Sequence, residues 1–131
     1  PALLLGAAVT LWVGGFDIIY ACQDIESDRR DGLFSLPSRL GPARALWIAR
    51  VCHAAVVALL ALLATVAGLG WLYTTGVVLV AVLLLVENIL VRPNDLSKVN
   101  IAFFTINGIV SVLMGLLAIL DVLFLGSDVQ V

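Results

Sequence analysis

The segment DIIYACQDIESDRRDG, residues 17–32, carries many carboxylates at the end of an apolar run. If one helix continues through it, about 100° per residue brings five side chains into one arc of roughly 80°: Asp17, Tyr20, Asp24, Asp28 and Asp31. Asp24 and Asp28 are one turn apart, close enough to share a ligand. Adjacent carboxylates repel each other unless a cation lies between them, and hard oxygen ligands favour Mg²⁺. The spacing therefore predicts that Asp24 and Asp28 bind magnesium.

Basic residues accompany these acids. Arg29, Arg30 and Arg39 can donate charge-assisted hydrogen bonds to a phosphate. Together with the metal they suit a diphosphate held at a membrane surface. The same acidic spacing also occurs on solvated helix ends, and basic loops arise from membrane topology alone. Asp17 favours the functional interpretation because a carboxylate that extends into an apolar span is costly and by default marks a site.

The elements that position these residues are membrane helices. The chain has 131 residues, enough for one domain, and only 12% of them are charged, against about 25% in soluble domains. GLGW at 68–71 and RPNDLSK at 92–98 divide apolar runs of about 20 residues, the length that crosses a bilayer. We predict a single all-α membrane domain, a multi-pass bundle with helices over 1–31, 44–67, 71–91 and 99–125.

The basic residues orient this bundle in the lipid bilayer. All seven lie on two segments that share one side of the membrane: Arg29, Arg30, Arg39, Arg44, Arg50, Arg92 and Lys98. The positive-inside rule makes that side cytoplasmic, so the acidic segment should open to the cytoplasm of, we expect, a bacterial plasma membrane. The net charge of −2 is too small to indicate a nucleic-acid partner.

Other polar residues receive structural roles at this stage. Three side chains share one face of the last helix and are expected to form interhelical hydrogen bonds, with contact to a substrate as the alternative: Asn100, Asn107 and Ser111. His53 is expected to be a packing or interfacial histidine near the cytoplasmic edge, with a catalytic base as the alternative, and no role is assigned to Glu87 and Asn88. Two acids near the opposite end are expected to be solvated: Asp121 and Asp128.

Residues 17–41, DIIYACQDIESDRRDGLFSLPSRLG, resemble the second aspartate-rich motif of the UbiA superfamily of intramembrane aromatic prenyltransferases. The pattern Asp-x-x-Tyr-Ala-x-x-Asp-x-x-x-Asp, followed by Gly-x-x-Ser, is closest to the 4-hydroxybenzoate polyprenyltransferase branch. Residues 92–111 resemble the last loop and helix of that branch. The family fold has nine transmembrane helices and two such motifs, so the resemblance implies that this chain corresponds to the C-terminal half.

The resemblance implies roles for individual residues. Asp24 and Asp28 match the catalytic carboxylates that hold Mg²⁺ and the diphosphate, and Asp17 and Tyr20 match the membrane-side continuation of the motif. Arg30 falls where relatives often have a basic residue. Asp31 and Arg39 rest on the residue argument alone. The implied reaction transfers a polyprenyl group from polyprenyl diphosphate to an aromatic acid such as 4-hydroxybenzoate, in ubiquinone or menaquinone biosynthesis.

The first motif of the family, Asn-Asp-x-x-Asp-x-x-x-Asp, does not occur in this sequence. NDLSK at 94–98 begins like it but lacks the later aspartates. A truncated chain is the simplest explanation, because the sequence starts with Pro1 inside an apolar run. The missing N-terminal half of the bundle is therefore an implied partner, and the isolated chain is expected to be inactive.

Two other functions compete with this one. DRRDG at 28–32 resembles the start of a CDP-alcohol phosphotransferase signature, but LFSL follows it and the later aspartates of that signature are absent. The second alternative is a non-catalytic membrane protein or transporter fragment whose acidic helix face binds a cation. Transporters usually place such groups near the bilayer midplane in broken helices, which disfavours it here.

Overall fold

The computed structural model describes residues 1–124, and these form helices joined by short turns. The six α-helices are α1 (Ala2–Ala21), α2 (Ile25–Asp31), α3 (Leu36–Leu40), α4 (Pro42–Ala67), α5 (Trp71–Leu90) and α6 (Asn107–Phe124). A π-helical segment, Ile101–Ile106, runs directly into α6. Within the described residues no strand forms, and one backbone bridge joins Arg92 and Asp95. The predicted all-α class is confirmed.

Four helices are long and apolar enough to cross a membrane: Ala2–Ala21, Pro42–Ala67, Trp71–Leu90 and Ile101–Phe124. The number of spans and the break at 68–71 agree with the sequence prediction. The chain leaves α4 through Gly68, whose φ of +62° is left-handed, and α5 begins immediately after Gly70. The predicted end of the last span, residue 125, and Asp128 lie outside the described residues.

The helices pack in chain order: α1 against α4, α4 against α5, and α5 against α6, with the π-helical segment returning to α1. One apolar cluster fills the middle of the bundle, around Val56, Tyr73 and Val80. A second cluster, around Ile19, Ala49 and Val99, joins the helix ends next to the polar segments. We call this end of the bundle the loop end.

The single helix predicted over 1–31 is wrong. α1 ends at Ala21, and the N–H groups of Cys22, Gln23 and Asp24 bond to carbonyls only three residues back, which tightens the last turn and ends the helix. Asp24 then becomes the N-cap of α2, a position that aspartate favours. Asp17 and Tyr20 therefore lie on a different helix from Asp24, and the predicted arc is divided between two helices.

The expectation that Asp121 is solvated is also wrong. Its side chain is 2% exposed and caps the start of α5 from α6. Oδ2 accepts from the Gly70 N–H at 2.7 Å, and Oδ1 accepts from the Tyr73 N–H at 3.1 Å. The first N–H groups of a helix have no partner within the helix, and hydrocarbon supplies none. Asp121, which the fold brings next to the start of α5, supplies the missing acceptors.

Candidate functional site

Residues 22–41 form a compact acidic hairpin at the loop end, in which α2 and α3 fold back on each other. Gly32 closes α2 with a left-handed φ of +68°, and the Leu33 N–H bonds to the Asp28 carbonyl at 2.8 Å. Ser35 then begins α3 as one half of a capping box with Ser38. The residues GLFS thus turn the chain sharply next to Asp28.

Ser35 also fixes Asp28 directly. Its hydroxyl donates to Asp28 Oδ2 at 2.5 Å, while Oδ1 has no hydrogen bond within residues 1–124. Asp28 lines a cleft of about 290 Å³ together with Arg29 and Arg39. Ser35 was not predicted as a site residue, although the Gly-x-x-Ser spacing was the available signal. Ser35 is a positioning residue that leaves one oxygen of Asp28 available for a ligand.

Asp24 and Asp17 are exposed carboxylates. Asp24 is the N-cap of α2, yet its side chain accepts no capping hydrogen bond. The Asp28 N–H donates to the Asp24 carbonyl at 2.7 Å, so the two residues remain one turn apart as predicted. Among the described residues, neither Asp17 nor Asp24 has a side-chain ion pair, and both can therefore bind a ligand without breaking one.

Asp31 and Arg30 differ from these two acids because they bind each other. Arg30 Nε lies 3.2 Å from Asp31 Oδ1, and the Ser27 hydroxyl donates to Asp31 Oδ2 at 3.4 Å. Arg29 Nε donates to the Ser38 carbonyl at 2.9 Å and ties α2 to α3. Arg39 lies 5.5 Å from the centroid of the Phe34 ring. Of the predicted phosphate ligands, Arg29 and Arg39 share the cleft with Asp28, and Arg29 already uses its Nε to bond Ser38.

The residues present fit a magnesium ion only in part. Asp24 and Asp28 offer hard oxygen donors, of which Asp28 has one oxygen already bonded to Ser35. In the part of the chain that the structure describes, no three His, Cys, Asp or Glu side chains come together as a complete metal site. A Mg²⁺ ion typically uses one or two carboxylates plus substrate phosphates and water. The acidic hairpin matches that partial donor set.

An aromatic cluster continues from the hairpin along the seam between α1 and the π-helical segment. Tyr20 lies 4.4 Å from Phe103 between ring centroids, and Phe16 lies 5.3 Å from Phe103. Phe104 contacts Phe103 at 4.8 Å, and Trp12 contacts Phe16 at 5.5 Å. These side chains connect the acidic end of α1 with its apolar half.

Asn107 holds this seam together. Its Oδ1 accepts from Trp12 Nε1 at 2.8 Å, and its Nδ2 donates to Glu87 Oε1 at 2.9 Å and to the Ala102 carbonyl at 3.1 Å. The last bond spans five residues and satisfies a carbonyl within the π-helical segment. The predicted interhelical role of Asn107 is confirmed. Asn100 also accepts across elements, from Gln23 Nε2 at 3.3 Å.

His53 and Glu87 extend this buried network toward α4. His53 is buried, which agrees with the packing role of the two that were expected, and Asn88 Nδ2 lies 2.9 Å from its Nδ1. A Cβ at Gly15 would come within 2.5 Å of the His53 ring, so only glycine lets α1 approach this closely. Glu87 is fully buried, and sequence reasoning missed its role because its partner Asn107 is 20 residues away.

Beyond Trp12 the seam opens into an apolar cavity of about 410 Å³ between the four long helices. Its lining includes Leu5 and Trp12 on α1, Leu60 on α4, Tyr73 on α5, and Ser111 and Met114 on α6. Ser111, predicted to form interhelical hydrogen bonds, is thus a cavity residue. Carboxylates, aromatic rings and an apolar cavity follow one another along a single seam.

Comparison with known proteins agrees with this arrangement. The model of the UbiA prenyltransferase family matches residues 1–125. The apo structure of a UbiA homolog from Aeropyrum pernix K1 superposes with a TM-score of 0.80 and 38% sequence identity. That match covers 91% of this chain and 42% of the homolog, so the chain spans less than half of the homolog's length. No curated protein matches the chain.

Proposed function

The chain belongs to the UbiA prenyltransferase family, and on that premise we propose that it forms the diphosphate-binding half of an Mg²⁺-dependent prenyltransferase. The donor is a polyprenyl diphosphate, and the acceptor is an aromatic acid such as 4-hydroxybenzoate. The supporting observation is the seam itself. Its carboxylates, aromatic rings and apolar cavity follow the order of the diphosphate, allylic carbon and tail of such a donor.

Asp24 and Asp28 hold the diphosphate through the metal in this proposal. Bound Mg²⁺ stabilises the negative charge of the diphosphate leaving group. Ser35 keeps one Asp28 oxygen fixed, which orients the other without a further rearrangement. Arg39 shares the cleft with Asp28 and donates to diphosphate oxygens. Arg30 and Asp31 contribute less, because each already binds the other.

The aromatic cluster acts on the carbon next to the diphosphate. Tyr20, Phe103 and Phe104 present ring faces and edges within 4.4–6.3 Å of one another, directly beyond the acidic end of α1. The π face of an aromatic ring attracts positive charge, such as the charge that develops on an allylic carbon when the diphosphate leaves. Asp17, exposed on α1 next to these rings, adds negative charge on the same side.

The membrane orientation follows from charge. The loop end carries every Lys and Arg of the chain, and the positive-inside rule makes that end cytoplasmic. A water-soluble aromatic acid and the diphosphate headgroup would then meet at the cytoplasmic surface, while the prenyl tail stays in the apolar cavity. In this proposal the membrane is the plasma membrane of a bacterium, and the product is a precursor of ubiquinone or menaquinone.

The test uses the longest reading frame that encodes this chain, purified in detergent, with a polyprenyl diphosphate and 4-hydroxybenzoate. We expect prenylated product with Mg²⁺ and none after chelation with EDTA. Asp24→Asn and Asp28→Asn should each lower product formation by about a hundredfold or more. Glu26→Gln is the matched control, because Glu26 is an exposed acid of the same short helix outside the predicted pair.

Two outcomes would overturn the proposal. Magnesium-dependent transfer that survives in both aspartate variants would remove the metal-diphosphate role of the hairpin. Donor binding without transfer to any member of an aromatic-acid panel would instead favour a non-catalytic protein whose acidic face binds a cation. Binding is measured with a non-reactive thiolodiphosphate analogue, so that it is followed separately from turnover.

A further inference from the structure

A second large depression lies on the other side of the bundle, between α4 and α5. This lateral groove has a volume of about 1050 Å³ and is closed at the loop end by residues 92–98. Its lining comes from α4, α5 and that segment, with no residue from α1 or α6. The groove is therefore separate from the seam that carries the proposed prenyl transfer.

The mouth of the groove is basic. Arg50 on α4, Arg92 and Lys98 line it, three of the seven cationic side chains in the sequence. Asp95 is the one carboxylate in the lining, and hydrogen bonds from the hydroxyl and N–H of Ser97 lower its pKa and occupy its Oδ1. Cations thus outnumber the acid at this mouth, which favours an anionic ligand.

Two of these cations are held in place by the end of α5. Arg50 donates through one terminal nitrogen to the Asn88 carbonyl at 3.4 Å, and Arg92 donates through Nε to the Ile89 carbonyl at 3.3 Å. A guanidinium has five N–H donors, so each arginine retains donors for a second partner. The bonds to α5 orient both side chains over the same opening.

Below the mouth the groove is mainly apolar. Its walls are Ala54 and Val57 on α4, and Ala81, Leu84 and Leu85 on α5, and the side chains of His53 and Asn88, which bond to each other, also line it. The lining on α5 extends from Ala81 to Leu90, which is about 14 Å along the helix at 1.5 Å per residue. Ala54 and Ala81 are small and leave room in the groove between the two helices. A basic mouth over a mainly apolar groove matches a charged headgroup with a hydrocarbon chain.

We propose that the lateral groove binds one anionic phospholipid, with its phosphate at Arg50, Arg92 and Lys98 and an acyl chain between α4 and α5. Basic pockets between membrane helices at the cytoplasmic side commonly bind anionic headgroups. A small soluble anion would use the mouth and leave the apolar channel empty. A zwitterionic lipid would fill the channel but bring a cationic group to three cations.

The experiment is native mass spectrometry on the protein expressed from its longest reading frame. The protein is titrated with phosphatidylglycerol or with phosphatidylcholine of identical chains. We expect about tenfold or tighter binding of phosphatidylglycerol, and loss of that preference in the R50Q/R92Q/K98Q variant. Arg44→Gln should retain it, because Arg44 is an exposed cation of the same helix that does not line the groove.

Two further arms separate the possible occupants. Ala81→Phe should block the channel and weaken phosphatidylglycerol binding while the basic mouth is intact. Displacement of the lipid by glycerol 3-phosphate at equal concentration would overturn the proposal in favour of a soluble anion site. A lipid preference unchanged in the triple variant would also overturn it, and would leave Arg50 and Arg92 as caps of α5 alone.

A photoactivatable phosphatidylglycerol tests the site without any substitution. Cross-links to α4 and α5 within residues 54–57 and 81–89 are expected. Cross-links confined to other helices, or none in these two, would show that the groove is filled by another part of the protein, and the proposal would fall. Lipid binding and prenyl transfer use different faces, so either can fail without the other.

Discussion

The acidic hairpin and the interior of the bundle both contain carboxylates, but their oxygens have different partners. Asp121 and Glu87 are buried, and each accepts hydrogen bonds from another element. Asp17 and Asp24 are exposed and have no side-chain partner among the described residues, and Asp28 has one free oxygen. Both oxygens of Asp121 are thus bonded to protein donors, and Glu87 has Oε1 bonded and Oε2 buried without a donor, whereas the acids at the candidate site have oxygens that a ligand can reach.

This difference predicts opposite effects of substitution at Asp24 and inside the bundle. Asp24→Asn should lower the rate of prenyl transfer by about a hundredfold or more, the usual cost of losing one group that stabilises charge in a transition state. The midpoint of thermal unfolding should stay within error of the wild type, because no protein hydrogen bond is lost. Rates from product chromatography and unfolding in detergent measure the two effects, and a large fall in the midpoint would contradict the comparison.

Asp121→Ala should give the reverse result. It leaves the Gly70 and Tyr73 N–H groups without an acceptor in an apolar environment, at a cost of about 2 to 4 kcal/mol in the free energy of unfolding. The activity of the molecules that remain folded should be unchanged. Asp121→Asn keeps one acceptor oxygen and should cost less. Equal unfolding midpoints for both variants and the wild type would show that the cap contributes nothing.

Ser35→Ala should affect both the rate and the stability, because Ser35 bonds to Asp28 and also caps α3. It removes the hydrogen bond to Asp28. The rate of prenyl transfer should fall by about tenfold, as expected for the loss of a bond to a charged group. The substitution also removes the N-cap of α3, which should lower the stability of the hairpin by about 1 kcal/mol, the usual cost of losing such a cap. Ser35→Thr should restore both, and Ser27→Ala is the matched control. Rescue of stability without rescue of rate would separate the cap from the positioning of Asp28.

Gly32→Ala should have the smallest effect. No heavy atom lies within 4 Å of the added Cβ, so the cost is limited to the left-handed φ, about 1 kcal/mol. Limited proteolysis of the hairpin detects this change better than global unfolding. Gly108→Ala, which adds a methyl to open space in a helix, should not increase cleavage. Increased cleavage in both variants would mean that the φ of Gly32 is not the cause.

The sequence predicted those parts of the fold that depend on local composition. Four spans and the turn at Gly68 follow from apolar length and from glycine, because a membrane imposes both constraints on each segment separately. The break at Cys22–Asp24 was missed because the acidic spacing also fits one continuous helix, although aspartate is a favoured N-cap residue. Asp121, Glu87 and Ser35 obtain their roles from partners brought close by folding or by the hairpin turn, which spacing along the chain does not reveal.

The π-helical segment has a consequence for the rotational phase of the last helix. A turn with one extra residue shifts the angular position of every later side chain by about 100° relative to a continuous α-helix. Phe103 and Phe104 therefore face α1 while Asn107 still reaches Trp12 and Glu87. Deleting one residue within 101–106 would restore α-helical phase, and the aromatic rings and the amide could no longer face their partners together. With the extra residue, the rings of Phe103 and Phe104 and the amide of Asn107 can all contact their partners from one helix.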